Sequence, residues 1–156
     1  MIADVRLRST DHEETLKGMR SRCFRAILSI GAQPPVGGKG FPTDWPIGQI
    51  VRDARDAYGY APERRRFRPT PKDLSDMMPV LAAIADHKHN AKHGERDYQI
   101  ILARAHDTPM HRIRDILGTT AGERSLQRWL DRAVDEILNK RLPRLTEMSD
   151  IRQNTG

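Results

Sequence analysis

The side chains best suited to recognise another molecule lie within residues 106–134, on both sides of a glycine-bearing break in a helical pattern. Arginine and glutamine present paired hydrogen-bonding groups in one plane, and these groups match the edges of guanine and adenine. Hydroxyl groups and further arginines suit phosphate oxygens. Before the break, Arg112 and Arg114 are placed to meet backbone phosphates. After it, the residues expected to contact DNA are Thr119, Thr120, Arg124, Ser125, Gln127, Arg128 and Arg132.

These side chains have to be positioned by two helices that are joined by a turn. We expect Thr108 to cap the first helix, Pro109 to take its first position and Gly118 to end it. The second helix is expected over about 123–141, and its first N–H groups favour a phosphate. Such a helix-turn-helix, at about 109–141, can place its second helix in a major groove. The same pattern also occurs in ordinary helical bundles, where a polar helix face is simply solvated.

The rest of the chain has the apolar periodicity of helices, which predicts an all-α protein. An amphipathic helix over 12–30, with Asp11 as its N-cap, leads into a Pro/Gly-rich loop. Pro79 is expected to bend or restart a later helix, and Pro143 to stop the last one. The chain is therefore divided into an N-terminal helix and loop that serve as an arm or oligomerisation element (1–46), a helical bundle with the C-terminal helix-turn-helix (47–144), and a disordered tail (145–156).

The most basic segment of the chain follows the second helical pattern. Arg64, Arg65, Arg66 and Arg68 surround Phe67, among prolines that oppose a helix. Two interpretations are open. The segment is either an arm that lies along phosphates or enters a minor groove, or a solvated linker whose Phe67 packs on the domain.

Composition limits the remaining function classes. The chain has 156 residues, and 27 Lys and Arg against 21 Asp and Glu give a net charge of +6, which favours an anionic partner. Cys23 is the single cysteine, so an intramolecular disulfide is excluded. No apolar run approaches the roughly 20 residues that span a bilayer, and the first residues lack the apolar segment of a signal peptide. We expect a cytoplasmic protein with no membrane partner.

Other site chemistry is weakly indicated. His87, His89 and His93 lie close together in a polar stretch, but without cysteines or a fixed helical pair they are more simply solvated than metal-bound. The glycines at 37–40 lack the residue order of a phosphate-binding loop. Cys23 falls on an apolar helix stripe, which is typical of a core cysteine. No serine, histidine and carboxylate set has catalytic spacing, so we expect no metal, no cofactor and no enzymatic activity.

A family resemblance appears in the same region. The segment ERDYQIILARAHDTPMHRIRDILGTTAGERSLQRW (95–129) resembles the helix-turn-helix of sigma-factor region four and of LuxR-type regulators. The stretches WPIGQIVRDARDAYGY and RPTPKDLSDM are similar to an uncharacterised family of proteins encoded by alphaproteobacterial phages and prophages. The resemblance implies a region-four-like DNA-binding domain in a phage setting. Because GTTAGERS is longer than the usual turn, base recognition falls either to Arg124 or to Arg128.

Three functions are consistent with these patterns. The first is a sequence-specific DNA-binding regulator of transcription, acting on double-stranded DNA. The second is a DNA-packaging adaptor, similar to a small terminase subunit, or a recombination adaptor, in which the N-terminal helix builds a homo-oligomer. The third is a protein-interaction module that binds RNA polymerase or a phage protein. Steep salt dependence separates the first two from the third, since phosphate binding releases counterions.

Overall fold

The computed structural model describes residues 2–32, 46–59 and 67–154, without the side chains of 2–11, 46–47 and 55–59. The described part is all-helical and contains no strand. The predicted all-α class is therefore confirmed. None of the described helices is long and apolar enough to cross a membrane. The helices are α1 (Ile2–Ala32), α2 (Pro46–Gly59), α3 (Pro71–Asn90), α4 (Gly94–Ala105), α5 (Met110–Leu117), α6 (Glu123–Glu136) and α7 (Leu142–Asn154), with a π-helical segment (Ile137–Arg141) between α6 and α7.

The C-terminal half of α1 forms part of the hydrophobic core. Cys23, Ala26, Ile27 and Ile30 recur at helical spacing and are buried, and α1 packs on α2, α3, α4 and α6. The division at residue 46 therefore does not separate α1 from the bundle. The helix is also longer than predicted, so Asp11 lies inside it rather than at its N-cap.

Ion pairs fasten the start of α3 to α1. Thr70 Oγ1 accepts a hydrogen bond from the Asp73 amide at 3.3 Å, and the Thr70 amide donates to Asp73 Oδ2 at 2.8 Å, which is a capping box. Arg25 contacts Asp73 through two hydrogen bonds of 2.7 Å. Arg22 makes the same bidentate contact with Asp76. From this start α3 continues through Pro79 to Asn90, and the predicted restart does not occur.

The turn between α3 and α4 is tight because the two backbones nearly touch. A Cβ atom on Gly94 would lie 2.3 Å from the His87 carbonyl oxygen and 2.4 Å from that of Lys88. Next to this contact, His87 Nε2 lies 2.8 Å from Asp97 Oδ2, with both residues buried. The next residue of α4, the buried Tyr98, donates its hydroxyl proton to Asp53 of α2 at 2.6 Å. These contacts fix α4, the helix on which α5 and α6 pack.

The end of the chain differs from the prediction of a disordered tail. The helix does not stop at Pro143, because the wider turns of the π segment come immediately before it and α7 continues to Asn154. Leu142 is buried at the start of α7, whereas most side chains beyond it are exposed. Arg141 anchors the junction by donating to Asp86 Oδ2 at 2.7 Å and to Glu136 Oε1 at 3.1 Å.

Candidate nucleic-acid interface

Helices α4, α5 and α6 pack on one another and form the scaffold of the candidate site. Ile113 of α5 and Leu126 and Leu130 of α6 are buried at their contact, as the periodicity predicts. The Trp129 ring is half-buried, and the Arg96 guanidinium of α4 lies 4.0 Å from its centroid. The orientation of α6 is therefore set by an apolar face and by one cation–π contact.

The break that ends α5 is a left-handed glycine turn. Gly118 has φ of 64°, a value that glycine adopts without the strain a Cβ brings. Its amide donates to the Asp115 carbonyl, and the Thr119 amide donates to the Arg114 carbonyl, each at 3.2 Å. These two bonds form a Schellman motif. The predicted end of the first helix is confirmed.

The start of α5 differs from the prediction by one residue. Pro109 has an extended ψ of 147° and occupies the N-cap position, so the helix begins at Met110. The Thr108 side chain therefore makes no capping hydrogen bond. The backbone carbonyl oxygen of Thr108 accepts a hydrogen bond of 3.0 Å from the Arg104 guanidinium.

The predicted reading residues of α6 lie on its outward face. Arg124, Arg128 and Arg132 are exposed, while Ser125 and Gln127 are half-buried. Arg128 donates to the Ser125 hydroxyl at 3.3 Å, a weak contact that leaves most of its guanidinium donors open. The helix begins at Glu123, and its N-cap residue, Gly122, offers no side chain to the first N–H groups. Thus the first turn of α6 offers N–H groups and Arg124, and Arg128 follows one turn later on the same exposed face.

The other predicted contact residues lie on α5 and on the turn that joins it to α6. Thr120 is exposed, and the half-buried Thr119 accepts a hydrogen bond from the Ala121 amide at 3.2 Å. Arg112 and Arg114 are both exposed on α5. The structure therefore brings the predicted contact residues of 112–132 onto two adjacent helices and the turn between them.

Ile116 contradicts the predicted burial of α5. Its side chain is 65% exposed, although it falls within the apolar pattern of the helix. A helix of only two turns packs on the bundle along a narrow stripe, and Ile113 occupies that stripe. Ile116 lies instead at the rim of a groove of about 220 Å³ between α4 and α5, which Leu102 and Leu117 also line.

Arg20 is the residue of this site that sequence reasoning missed. Its Nε lies 2.5 Å from Asp131 Oδ1, across 111 positions of the chain. The Gln127 amide donates to the same Asp131 oxygen at 3.1 Å. No local pattern in the sequence indicates which distant arginine reaches Asp131.

The basic segment is described only from Phe67 onward. Arg64, Arg65 and Arg66 lie outside the described residues, and Arg68 is exposed in an extended stretch. Phe67 is half-buried, and the Arg25 guanidinium lies 4.9 Å from its ring centroid. This contact matches the predicted packing of Phe67 on the domain, whereas the role of the arginines as a phosphate or minor-groove arm stays a prediction.

Other candidate chemistry does not assemble in the described residues. Among these residues, no group of three or more His, Cys, Asp or Glu side chains is arranged to hold a metal ion. His87 is buried against Asp97, while His89 and His93 are exposed. Burial raises the pKa of the Cys23 thiol to about 12, so this cysteine is protonated at neutral pH and is a poor nucleophile.

Comparison with known proteins identifies the family. No curated protein and no solved structure has significant similarity to the chain. Residues 32–137 match a domain of unknown function, DUF6362. The match begins at the last residue of α1 and extends through α6 to the first residue of the π segment. Since it covers more than half of the sequence, the chain belongs to the DUF6362 family.

Proposed function

We propose that this protein is a sequence-specific DNA-binding regulator of transcription that reads duplex DNA with α6. The observation that carries the proposal is the placement of Arg124 and Arg128, which are exposed on the first turns of a helix that follows a tight glycine turn. Arginines in this position can reach guanine edges or phosphates. The phage or prophage setting rests on the sequence resemblance alone.

The neighbouring positive charges have a supporting role in this proposal. Arg112 and Arg114 of α5 contact phosphates on one side of the groove, and Arg132 does so further along α6. The N-terminus of α6 adds a partial positive charge and free N–H groups. The segment with Arg64, Arg65, Arg66 and Arg68 adds contacts that carry no sequence information. Affinity then comes from several phosphate contacts and specificity from α6.

Packing in the core weakens the packaging-adaptor alternative. That alternative required the N-terminal helix to assemble a multimer through its apolar stripe, of which Cys23, Ile27 and Ile30 form the C-terminal part. In the structure this part of the stripe is buried inside the bundle. An oligomer would have to use another surface.

A second candidate function is binding of a protein such as RNA polymerase, and it is supported by Ile116. This side chain is exposed at the rim of the apolar groove between α4 and α5. Single exposed apolar residues are common on protein surfaces. For this reason DNA binding remains the principal proposal. The two functions differ in salt dependence, because DNA binding weakens steeply as salt rises, whereas protein binding at an apolar groove would not.

The experiment that tests the proposal compares two charge-matched double variants. Arg124→Ala with Arg128→Ala is expected to abolish specific binding, because each good bidentate base contact is worth about 1–3 kcal/mol. Loss of two cations is also expected to reduce the slope of log affinity against log salt by up to about 2. Arg52→Ala with Lys92→Ala removes the same charge from exposed positions on α2 and on the turn before α4.

The readout is the affinity for a duplex enriched from random DNA, measured at several salt concentrations. The control double variant should retain the binding of the wild-type protein to within a few fold. Full affinity in the Arg124 and Arg128 double variant would show that α6 is not the reading helix.

A further inference from the structure

A carboxylate on the outward face of α6 requires an explanation if this face meets DNA. Asp131 lies one turn beyond Arg128, within the reach of a duplex that Arg124 and Arg128 contact. A free negative charge in this position would repel phosphates. It would also pair with Arg128, since residues three apart on a helix are neighbours.

The structure places a partner on this carboxylate. Arg20 of α1 donates to Asp131 Oδ1 at 2.5 Å, and both side chains are about one-fifth exposed. Among the residues that the structure describes, Arg128 keeps its weak hydrogen bond to Ser125 and makes no ion pair with Asp131. The charge of Asp131 is neutralised from outside the helix-turn-helix by an arginine that lies before the first residue of the family match.

The same oxygen also accepts a hydrogen bond from the Gln127 amide, at 3.1 Å. An amide nitrogen has two hydrogens, and only one of them is needed for this bond. The remaining N–H and the carbonyl oxygen of Gln127 can form the paired contact that glutamine makes with N7 and the N6 amino group of adenine. Asp131 can therefore hold the Gln127 side chain while one N–H and the carbonyl oxygen of Gln127 stay available for a base.

We propose that Arg20 is a positioning residue for base recognition: it fixes Asp131, which in turn holds Gln127 to read an adenine in the major groove. The inference rests on the proposed function and deepens it, because it names a base and the residues that set its recognition. It also gives α1 a role in recognition besides its role in the core.

Loss of Arg20 would act on both affinity and specificity. A released Asp131 is expected to turn toward Arg128 and to add negative charge at the DNA surface. Gln127 would lose its fixed orientation at the same time. The Arg20→Ala variant should therefore lose about fivefold or more in affinity for a selected duplex, since one bidentate contact is worth at least about this factor.

The test uses the full-length protein and the duplex that it enriches from random DNA, with single base-pair variants of that duplex. Wild type is expected to discriminate against replacement of one A·T pair by G·C, and Gln127→Ala is expected to lose this discrimination. Arg20→Ala should lose it as well. The matched control is Arg22→Ala, on the same helix but paired with Asp76 of α3, and it should bind and discriminate as wild type does to within about twofold.

Two further variants separate positioning from simple loss of charge or of fold. Arg20→Ala combined with Asp131→Asn removes the released charge and keeps an oxygen for Gln127, so it should restore most of the affinity and discrimination. Asp131→Ala alone should lose the A·T discrimination yet keep the affinity for random duplex. It tests the inference even if Arg20→Ala does not fold.

The outcomes distinguish this inference from the proposed function. Enrichment of a duplex by wild type, with unchanged discrimination in Arg20→Ala or in Asp131→Ala, would overturn the positioning role alone. Failure of Asp131→Asn to rescue Arg20→Ala would also overturn it. If wild type enriches no duplex, both proposals are wrong.

Discussion

Replacement of Gly94 by alanine tests the contact that fixes the scaffold of the candidate site. Gly94 begins α4, and its Cα lies against the last turn of α3. An added Cβ would sit 2.3 Å from the His87 carbonyl oxygen and 2.4 Å from the Lys88 carbonyl oxygen. Both neighbours are backbone atoms inside a helix and cannot rotate away, so α4 would have to move by about 1 Å to reach an ordinary van der Waals distance.

The magnitude follows from two effects. Overpacking of this kind costs about 1–3 kcal/mol. Displacement of α4 would also lengthen the 2.8 Å hydrogen bond between His87 and Asp97, and a buried hydrogen bond to a charged group contributes about 1.5–3 kcal/mol. We expect Gly94→Ala to lower the free energy of unfolding by about 3 kcal/mol and the melting temperature by roughly 6–12 °C.

Thermal and urea unfolding followed by circular dichroism measure this effect. The control is Gly18→Ala, at an exposed position inside α1 where an added Cβ meets nothing within 4 Å. It should stabilise the protein by about 0.5–1 kcal/mol, because alanine is the better helix former. A Gly94→Ala protein as stable as wild type would contradict the close approach of α3 and α4.

Two further predictions concern the capping box and the packing of α5. Hydrogen bonds from Arg25, and then from the Thr70 amide, hold the pKa of Asp73 well below its ordinary value. The stabilising contribution of Asp73 is therefore complete above the ordinary carboxyl pKa of about 4 and is lost progressively as the pH falls below it. Asp73→Asn should lower stability at pH 6 and make the loss between pH 5 and pH 2 less steep, and an unchanged acid profile would contradict the pairing. Ile116→Ser should lower the free energy of unfolding by less than about 0.5 kcal/mol, whereas Ile113→Ala should lower it by about 2–5 kcal/mol. Equal losses of this free energy in urea unfolding would mean that Ile116 is buried.

Most of the helical architecture could be predicted from local patterns. The period of 3.6 residues identified α1 through its stripe of Leu16, Met19, Cys23, Ile27 and Ile30, and Gly118 marked the end of α5. The capping box at Thr70 and Asp73 was not predicted, although it is also a local pattern: in TPKD, threonine precedes an acidic residue by three positions. Such features depend on neighbours in the chain, and for this reason sequence alone can indicate them.

The features that were not predicted depend on contacts between distant parts of the chain, or on how the helices pack on one another. The pairing of Arg20 with Asp131 joins residues 111 positions apart, and many other arginines had equivalent local surroundings. Ile116 follows the apolar period of α5, which predicts that it is buried. A short helix contacts the bundle along a narrow stripe, however, and Ile116 lies outside that stripe. The continuation of the helix past Pro143 depends on the π segment before it, and no local residue pattern indicated that widened turn.

Selection of bound sequences from random duplex DNA by the full-length protein tests the central proposal most directly. Enrichment of a defined motif by wild type, and its loss in the Arg124 and Arg128 double variant, is the result predicted for a reading helix at α6. A pool that remains random after repeated rounds at low salt would contradict sequence-specific DNA binding by this protein.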